Sequence, residues 1–177
     1  MIVAAMMRGL FRWLGWFALL TIICPVALGA AMTYARGWPP SWREANWSSS
    51  GLLPAASTVP EARVIILAAR TGGWKSIFAE HMSVVLKERD ARTWTRYEVV
   101  GWGVPVRRNA YEPDALWYGN QPYVVAEMSG DRAEAIIPRL EQTIAQYPEN
   151  RRGSYAVWPG PNSNTFVAWV VRNTDGF

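Results

Sequence analysis

The pattern of apolar and polar positions divides the chain into three stretches. Trp13 to Tyr34 (WLGWFALLTIICPVALGAAMTY) is an apolar run without charge, and its length predicts one membrane-spanning helix of about 20 residues. Pro25 inside it predicts a kink. From Gly37 to Pro60 the apolar pattern breaks up among Pro39, Pro40, Ser48, Ser49, Ser50, Gly51 and Pro54, which predicts an extended tether. Beyond Pro60 the pattern becomes that of a folded domain. Ala62–Ala69 (ARVIILAA) reads as a buried strand, and Gly72-Gly73 as a turn. Ile77–Leu86 reads as a second strand. Its alternation places Glu80, Met82, Val84 and Leu86 on one face and His81, Ser83 and Val85 on the other. Trp94–Val100 alternates too, with Trp94, Arg96, Glu98 and Val100 opposite Thr95, Tyr97 and Val99; Gly101 and Gly103 end it.

Residues 107–121 are irregular, and their aromatics Tyr111, Trp117 and Tyr118 predict a folded loop over the core. Tyr123–Met128 is another strand. Ser129 or Asp131 then caps a helix reaching about Gln146, with Ala133, Ile136, Ile137, Leu140 and Ile144 at helical spacing. Pro138 bends that helix or delays its start, and Pro148 ends it. Finally Pro159-Gly160-Pro161 leads into Asn162-Ser163-Asn164-Thr165 and an apolar segment to Val171. Asn, Ser and Thr side chains accept hydrogen bonds from the free N–H groups of a first helical turn, so a helix begins here. The residues after it, 173–177, read as a loop.

These elements predict an α+β protein: an N-terminal transmembrane helix, then a largely antiparallel sheet with packed helices. The divisions are 1–36 as membrane anchor or signal segment, 37–60 as linker and 61–177 as one α+β domain. The apolar run is long for a signal peptide, which favours an uncleaved anchor contacting membrane lipid through residues 13–34. A cleaved signal remains the competing reading, with Ala27 and Gly29 at the spacing a signal peptidase uses. Arg8 and Arg12 precede the run and place the N-terminus inside, although Arg36 and Arg43 follow it. The expected location is the inner (cytoplasmic) membrane, with the domain on its outer or periplasmic side. Trp38, Trp42 and Trp47 either rest at the headgroups or dock on the domain.

Composition narrows the chemistry. The net charge is +4, but the basic residues are scattered, without the basic stripe and interleaved aromatics of a nucleic-acid surface. The single cysteine, Cys24, lies in the apolar run, which removes disulfides, cysteine zinc sites and a thiolate nucleophile from the domain. The single histidine, His81, removes a multi-histidine metal site. No cofactor is expected. What is left is a polar helix start, where free N–H groups and the helix dipole favour developing negative charge.

Ser163 is the candidate nucleophile there, and His81 the candidate general base. Glu98 on the neighbouring strand is the first choice to orient the imidazole, with Asn120 and Glu127 behind it. Asn162 and Asn164 hold the loop or donate to an oxyanion. Trp158, Trp117 and Tyr118 are candidates to line a groove for substrate. The plainer readings stand beside these: Ser163 as a capping residue, His81 as a core histidine, and the aromatics as packing.

Ala79-Glu80-His81, Trp94 with Tyr97, Val100-Gly101-Trp102-Gly103, Pro113-Asp114, Trp117-Tyr118-Gly119 and Trp158 through Phe166 together resemble an uncharacterised bacterial family, the domain of unknown function 3750. That resemblance implies no activity. A histidine on an early strand followed by an Asn-nucleophile-x-x-Phe helix start also looks like the circularly permuted NlpC-type papain-like hydrolases and the lecithin:retinol acyltransferase relatives. Those proteins carry Cys where Ser163 stands and His where His81 stands. The resemblance implies a permuted papain-like domain acting on an amide or ester in peptide, lipid or glycan of the envelope. A serine needs a better-placed base than a thiol does. A catalytically inactive relative that binds an envelope ligand or protein is therefore the second reading.

Overall fold

The computed structural model describes residues 2–38 and 41–177, with side-chain surroundings from Met6 onward; Pro39 and Pro40 of the expected linker lie outside the described residues. The chain is α+β. Helix α1 (Ile2–Ala18), a π-helical turn (Leu19–Ile23) and helix α2 (Cys24–Arg36) form the N-terminal apolar helix. The stretch Met6–Arg36 is long and apolar enough to cross a membrane, as an anchor or a signal sequence would. Where a kink is expected at Pro25, a π turn stands just before the proline, with the Cys24 N–H donating to the Leu19 carbonyl five residues back. Proline has no N–H and its ring collides with the carbonyl four residues earlier, and a widened turn relieves both problems.

The domain is a five-stranded antiparallel sheet in the order β4-β3-β2-β1-β5. Its strands are β1 (Arg63–Arg70), β2 (Glu80–Lys87), β3 (Thr95–Val99), β4 (Val106–Arg108) and β5 (Tyr123–Ser129). β2 starts later than the pattern predicts because Gly73–Ile77 forms a 3-10 turn. β4 falls where an irregular loop is expected; three residues are too few for periodicity to register, and pairing with β3 creates the strand.

Helix α3 (Gly130–Ala145) follows β5 directly, with Ser129 as its N-cap residue, and Pro138 is accommodated on its solvent side without delaying its start. Helix α4 (Ser163–Asn173) is the last element. Both helices lie on one face of the sheet. There Val64, Ile66, Val84, Leu86, Tyr97 and Val99 meet Ile136, Leu140, Phe166, Val167 and Val170.

The other face is covered by segments expected to be a tether and a loop. β1 is buried along Val64–Ala69, so apolar side chains on both its faces need cover. Ala56 and Val59 supply part of it, packing with Ile65, Leu67, Val85 and Trp94. The Trp94 indole N–H donates to the Pro54 carbonyl at 3.0 Å. The Asp114 carboxylate accepts from the Ser49 hydroxyl at 2.7 Å, the Ser50 hydroxyl at 3.2 Å and the Leu53 N–H at 3.1 Å. Residues from about Trp47 to Val59 are therefore integral to the domain. Proline and serine suit a tether, and they suit equally well an irregular strap whose side chains bond to a carboxylate.

Candidate functional site

The site is built on β2 and β3. Their register pairs Ser83 with Glu98, so His81, Ser83, Arg96 and Glu98 share the sheet face opposite the helices. His81 Nε2 lies 2.7 Å from Glu98 Oε2, and Arg96 Nη2 donates to the same oxygen at 2.9 Å. All three side chains are buried: His81 is 6% exposed, Arg96 3% and Glu98 1%. The Trp117 ring stacks on the imidazole with centroids 3.5 Å apart and an interplanar angle of 6°. Trp47, Tyr111 and Tyr118 pack around Trp117. Arg96 also donates through Nη1 to the Glu112 and Pro113 carbonyls, tying the aromatic loop to β3.

Electrostatics assign the proton. Burial would raise the Glu98 carboxyl, but the hydrogen bond from His81 and the fixed charge of Arg96 outweigh it and hold the group below its ordinary value. Burial lowers His81, against the pull of Glu98. The two shifts describe one state, an ionised carboxylate beside a neutral imidazole. The Glu98–Arg96 ion pair already supplies the carboxylate with its countercharge, so a buried neutral histidine is the consistent state. An ionised carboxylate can only accept, so Nε2 carries the hydrogen and Nδ1 keeps its lone pair.

Ser163 reaches the same part of β2 from the helix side. Asn162 caps α4: its Oδ1 accepts from the N–H groups of Asn164 and Thr165, both at 3.0 Å, and the Thr165 hydroxyl accepts from the Asn162 N–H at 2.7 Å. The capping residue is therefore Asn162 and not Ser163, which is the first helical residue and is 3% exposed. The β2–β3 ladder ends at Ser83–Glu98. The next amide of β2, Met82 N–H, donates to Ser163 Oγ at 3.3 Å. The Ser163 hydroxyl lies 3.4 Å from Asn164 Oδ1. The Ser163 side chain is therefore bonded to the residue that follows His81, and no hydrogen bond joins it to the imidazole.

Among the other candidates, Glu98 meets His81, while the two orienting residues considered behind it lie elsewhere. Asn120 Nδ2 bonds to the Arg70 and Trp117 carbonyls, and Glu127 pairs with Arg63 at 2.9 Å on an exposed surface. Trp117 covers the imidazole, and Tyr118 packs against Trp117 and over Gly72. Trp158 is 86% exposed, away from the buried aromatic cluster. Asn164 lines a cleft of about 270 Å³ together with Arg70, Ser76, Ile77, Phe78, Ala79 and Glu80. Arg96 was not among the sequence candidates. Its signal was a second charge at alternate spacing from Glu98 on a strand whose neighbours are apolar. Among the described residues, no three His, Cys, Asp or Glu side chains converge as metal ligands would.

A family model described as protein of unknown function (DUF3750) matches residues 61–176. No curated protein and no solved structure matches the chain.

Proposed function

The chain belongs to the DUF3750 family, and on that premise we propose that it is a membrane-anchored envelope protein whose domain hydrolyses, or transfers the acyl group of, an ester or amide. The apolar helix anchors it in the inner membrane, with the domain on the outer side. Ser163 Oγ attacks the substrate carbonyl carbon while its proton passes to His81 Nδ1. His81 then returns that proton to the departing alcohol or amine. Water, or an acceptor nucleophile, releases the acyl group from Ser163 by the same exchange. Glu98 holds the imidazole through Nε2–H, Arg96 keeps Glu98 ionised, and Trp117 fixes the ring plane. The cap takes the N–H groups of Asn164 and Thr165, which leaves the Ser163 N–H to stabilise the oxyanion. The first step requires the Ser163 hydroxyl to turn from Asn164 toward His81. In this reading the domain is of the permuted papain-like type with serine in place of cysteine.

The observation that carries the proposal is the buried imidazole held by Glu98, one residue from the amide that Ser163 binds. A fluorophosphonate probe applied to the full chain in membranes tests it. Labelling lost in Ser163→Ala and His81→Ala, each still unfolding cooperatively on heating, supports the proposal. Labelling that persists in Ser163→Ala, or its absence from folded wild-type protein, overturns it.

A second reading also has an observation in its favour. Ser163 is nearly inaccessible, and its hydroxyl is already satisfied by Met82 and Asn164. That is the arrangement of a structural serine, and it fits a domain that binds an envelope peptide, lipid or glycan without turnover. Saturable binding of muropeptides or phospholipid headgroups without any product would favour it.

A further inference from the structure

The end of the apolar helix packs against the 3-10 turn Gly73–Ile77. Gly29 and Thr33, one helical turn apart, are buried, and a Cβ at Gly29 would collide with the Ile77 carbonyl oxygen. A glycine at this position lets the helix lie directly on the backbone of the 3-10 turn Gly73–Ile77. Counted from Trp13 at 1.5 Å per residue, Gly29 lies about 24 Å and Thr33 about 30 Å along the run. A bilayer hydrocarbon core is about 30 Å thick. The turn that touches Gly29 therefore sits within about 6 Å of the level where acyl chains give way to headgroups.

What this turn displays suits that depth. Trp74 and Phe78 are each 60% exposed, and their rings lie 5.5 Å apart. Lys75 stands between them in the chain. Exposed aromatics beside a cation are costly in water and favourable at a membrane interface, where the rings sit among headgroups and the ammonium meets lipid phosphate.

We propose that Trp74 and Phe78 insert into the headgroup region of the bilayer that the N-terminal helix spans, clamping the domain to the lipid surface. This rests on reading the helix as an uncleaved anchor. It places the cleft bounded by Phe78, Glu80 and Asn164 at headgroup level. The far end of β2 lies about 23 Å from Glu80 at strand rise.

The test uses the full chain in phosphatidylcholine–phosphatidylglycerol vesicles, with single cysteines carrying an environment-sensitive fluorophore and lipids bearing nitroxide quenchers at known depths. The native Cys24 reports the anchor. Lys75→Cys and Arg92→Cys, each in a Cys24→Ser background, report the turn and the far end, and both leave the aromatics in place. The proposal expects deep quenchers to act on Cys24 and headgroup-level quenchers to reduce the Lys75→Cys signal at least twofold. It also expects no quenching at Arg92→Cys and loss of the effect at residue 75 when Trp74 and Phe78 are both replaced by Ser. Quenching at Cys24 without quenching at residue 75 overturns the clamp and leaves the anchor standing. No quenching at Cys24 overturns the anchor and the clamp with it. Crosslinking of residue 75 between two copies in place of lipid quenching overturns the clamp in favour of a second copy.

Discussion

The two faces of the sheet are both buried, and they are built from different chemistry. On the helix face Val84, Leu86, Tyr97 and Val99 meet the regular apolar stripes of α3 and α4. On the opposite face the same two strands present His81, Ser83, Arg96 and Glu98 beneath Trp117 and a strap of irregular chain. The first face is held by apolar area removed from water, which any well-packed set of similar shapes supplies. The second is held by a charge network in which each member depends on the others, so its side chains are not interchangeable. Ser163 stands where the two meet, on the helix side but bonded to the strand that carries His81. Burial alone does not distinguish scaffold from site here, because both faces are equally dry. The kind of group buried does.

Substitutions on each face test this contrast. The largest loss is expected from Phe166→Ala on the helix face, where the ring is fully buried; about 3–5 kcal/mol of unfolding free energy should disappear, read by chemical denaturation of the full chain in detergent. On the other face, Glu98→Ala leaves Arg96 buried without its carboxylate and His81 without its partner. About 3 kcal/mol should be lost, and replacing Glu98 and Arg96 together by apolar residues should cost less than the single change. An additive double variant would mean the network is not coupled. At the boundary, Asn162→Ala removes the α4 cap and should cost about 1 kcal/mol, with no change in the tryptophan environment of the opposite face.

The gentlest difference is in pH dependence. His81 is held below the ordinary histidine value of 6.5 by burial, so the unfolded chain binds the extra proton first. Stability should fall as pH drops from that value toward the folded one. Glu98, held low by His81 and Arg96, adds a further loss as pH falls through its own folded pKa. Melting temperatures across this range should lose the histidine part in His81→Gln, while Phe166→Ala keeps the wild-type pH profile at lower overall stability. A pH profile unchanged in His81→Gln would mean the imidazole is as easily protonated when folded as when unfolded.

Much of this contrast was legible in the chain, though unevenly. Alternation along residues 80–86 and 94–100 assigns the side chains of β3, and those of β2 as far as Leu86, to a face, because a strand's period is local. Capping chemistry likewise places a helix start in Asn162–Thr165, because these side chains act on N–H groups within one turn. The membrane-length helix and the antiparallel α+β class follow from run length and spacing in the same way. The strap over the second face was not legible as structure. Its bonds run from Ser49, Ser50 and Leu53 to Asp114 and from Trp94 to Pro54, across some 40 to 65 residues. A segment rich in serine and proline does not indicate on its own whether it has a partner.

Short-range order was thus determined by the sequence alone: that β1, β2, β3 and β5 are strands and α3 and α4 helices, which of their residues share a face, that a helix starts near Ser163, and that one histidine and no domain thiol are present. Only the tertiary structure decided that Glu98, and neither Asn120 nor Glu127, meets the imidazole; that Arg96 shares that carboxylate; and that Ser163 bonds beside His81 rather than to it. Each of these depends on strand register and helix docking, which are set by packing summed over the whole domain. A one-residue slip of β3 against β2 would move Glu98 to the helix face while leaving every local propensity unchanged.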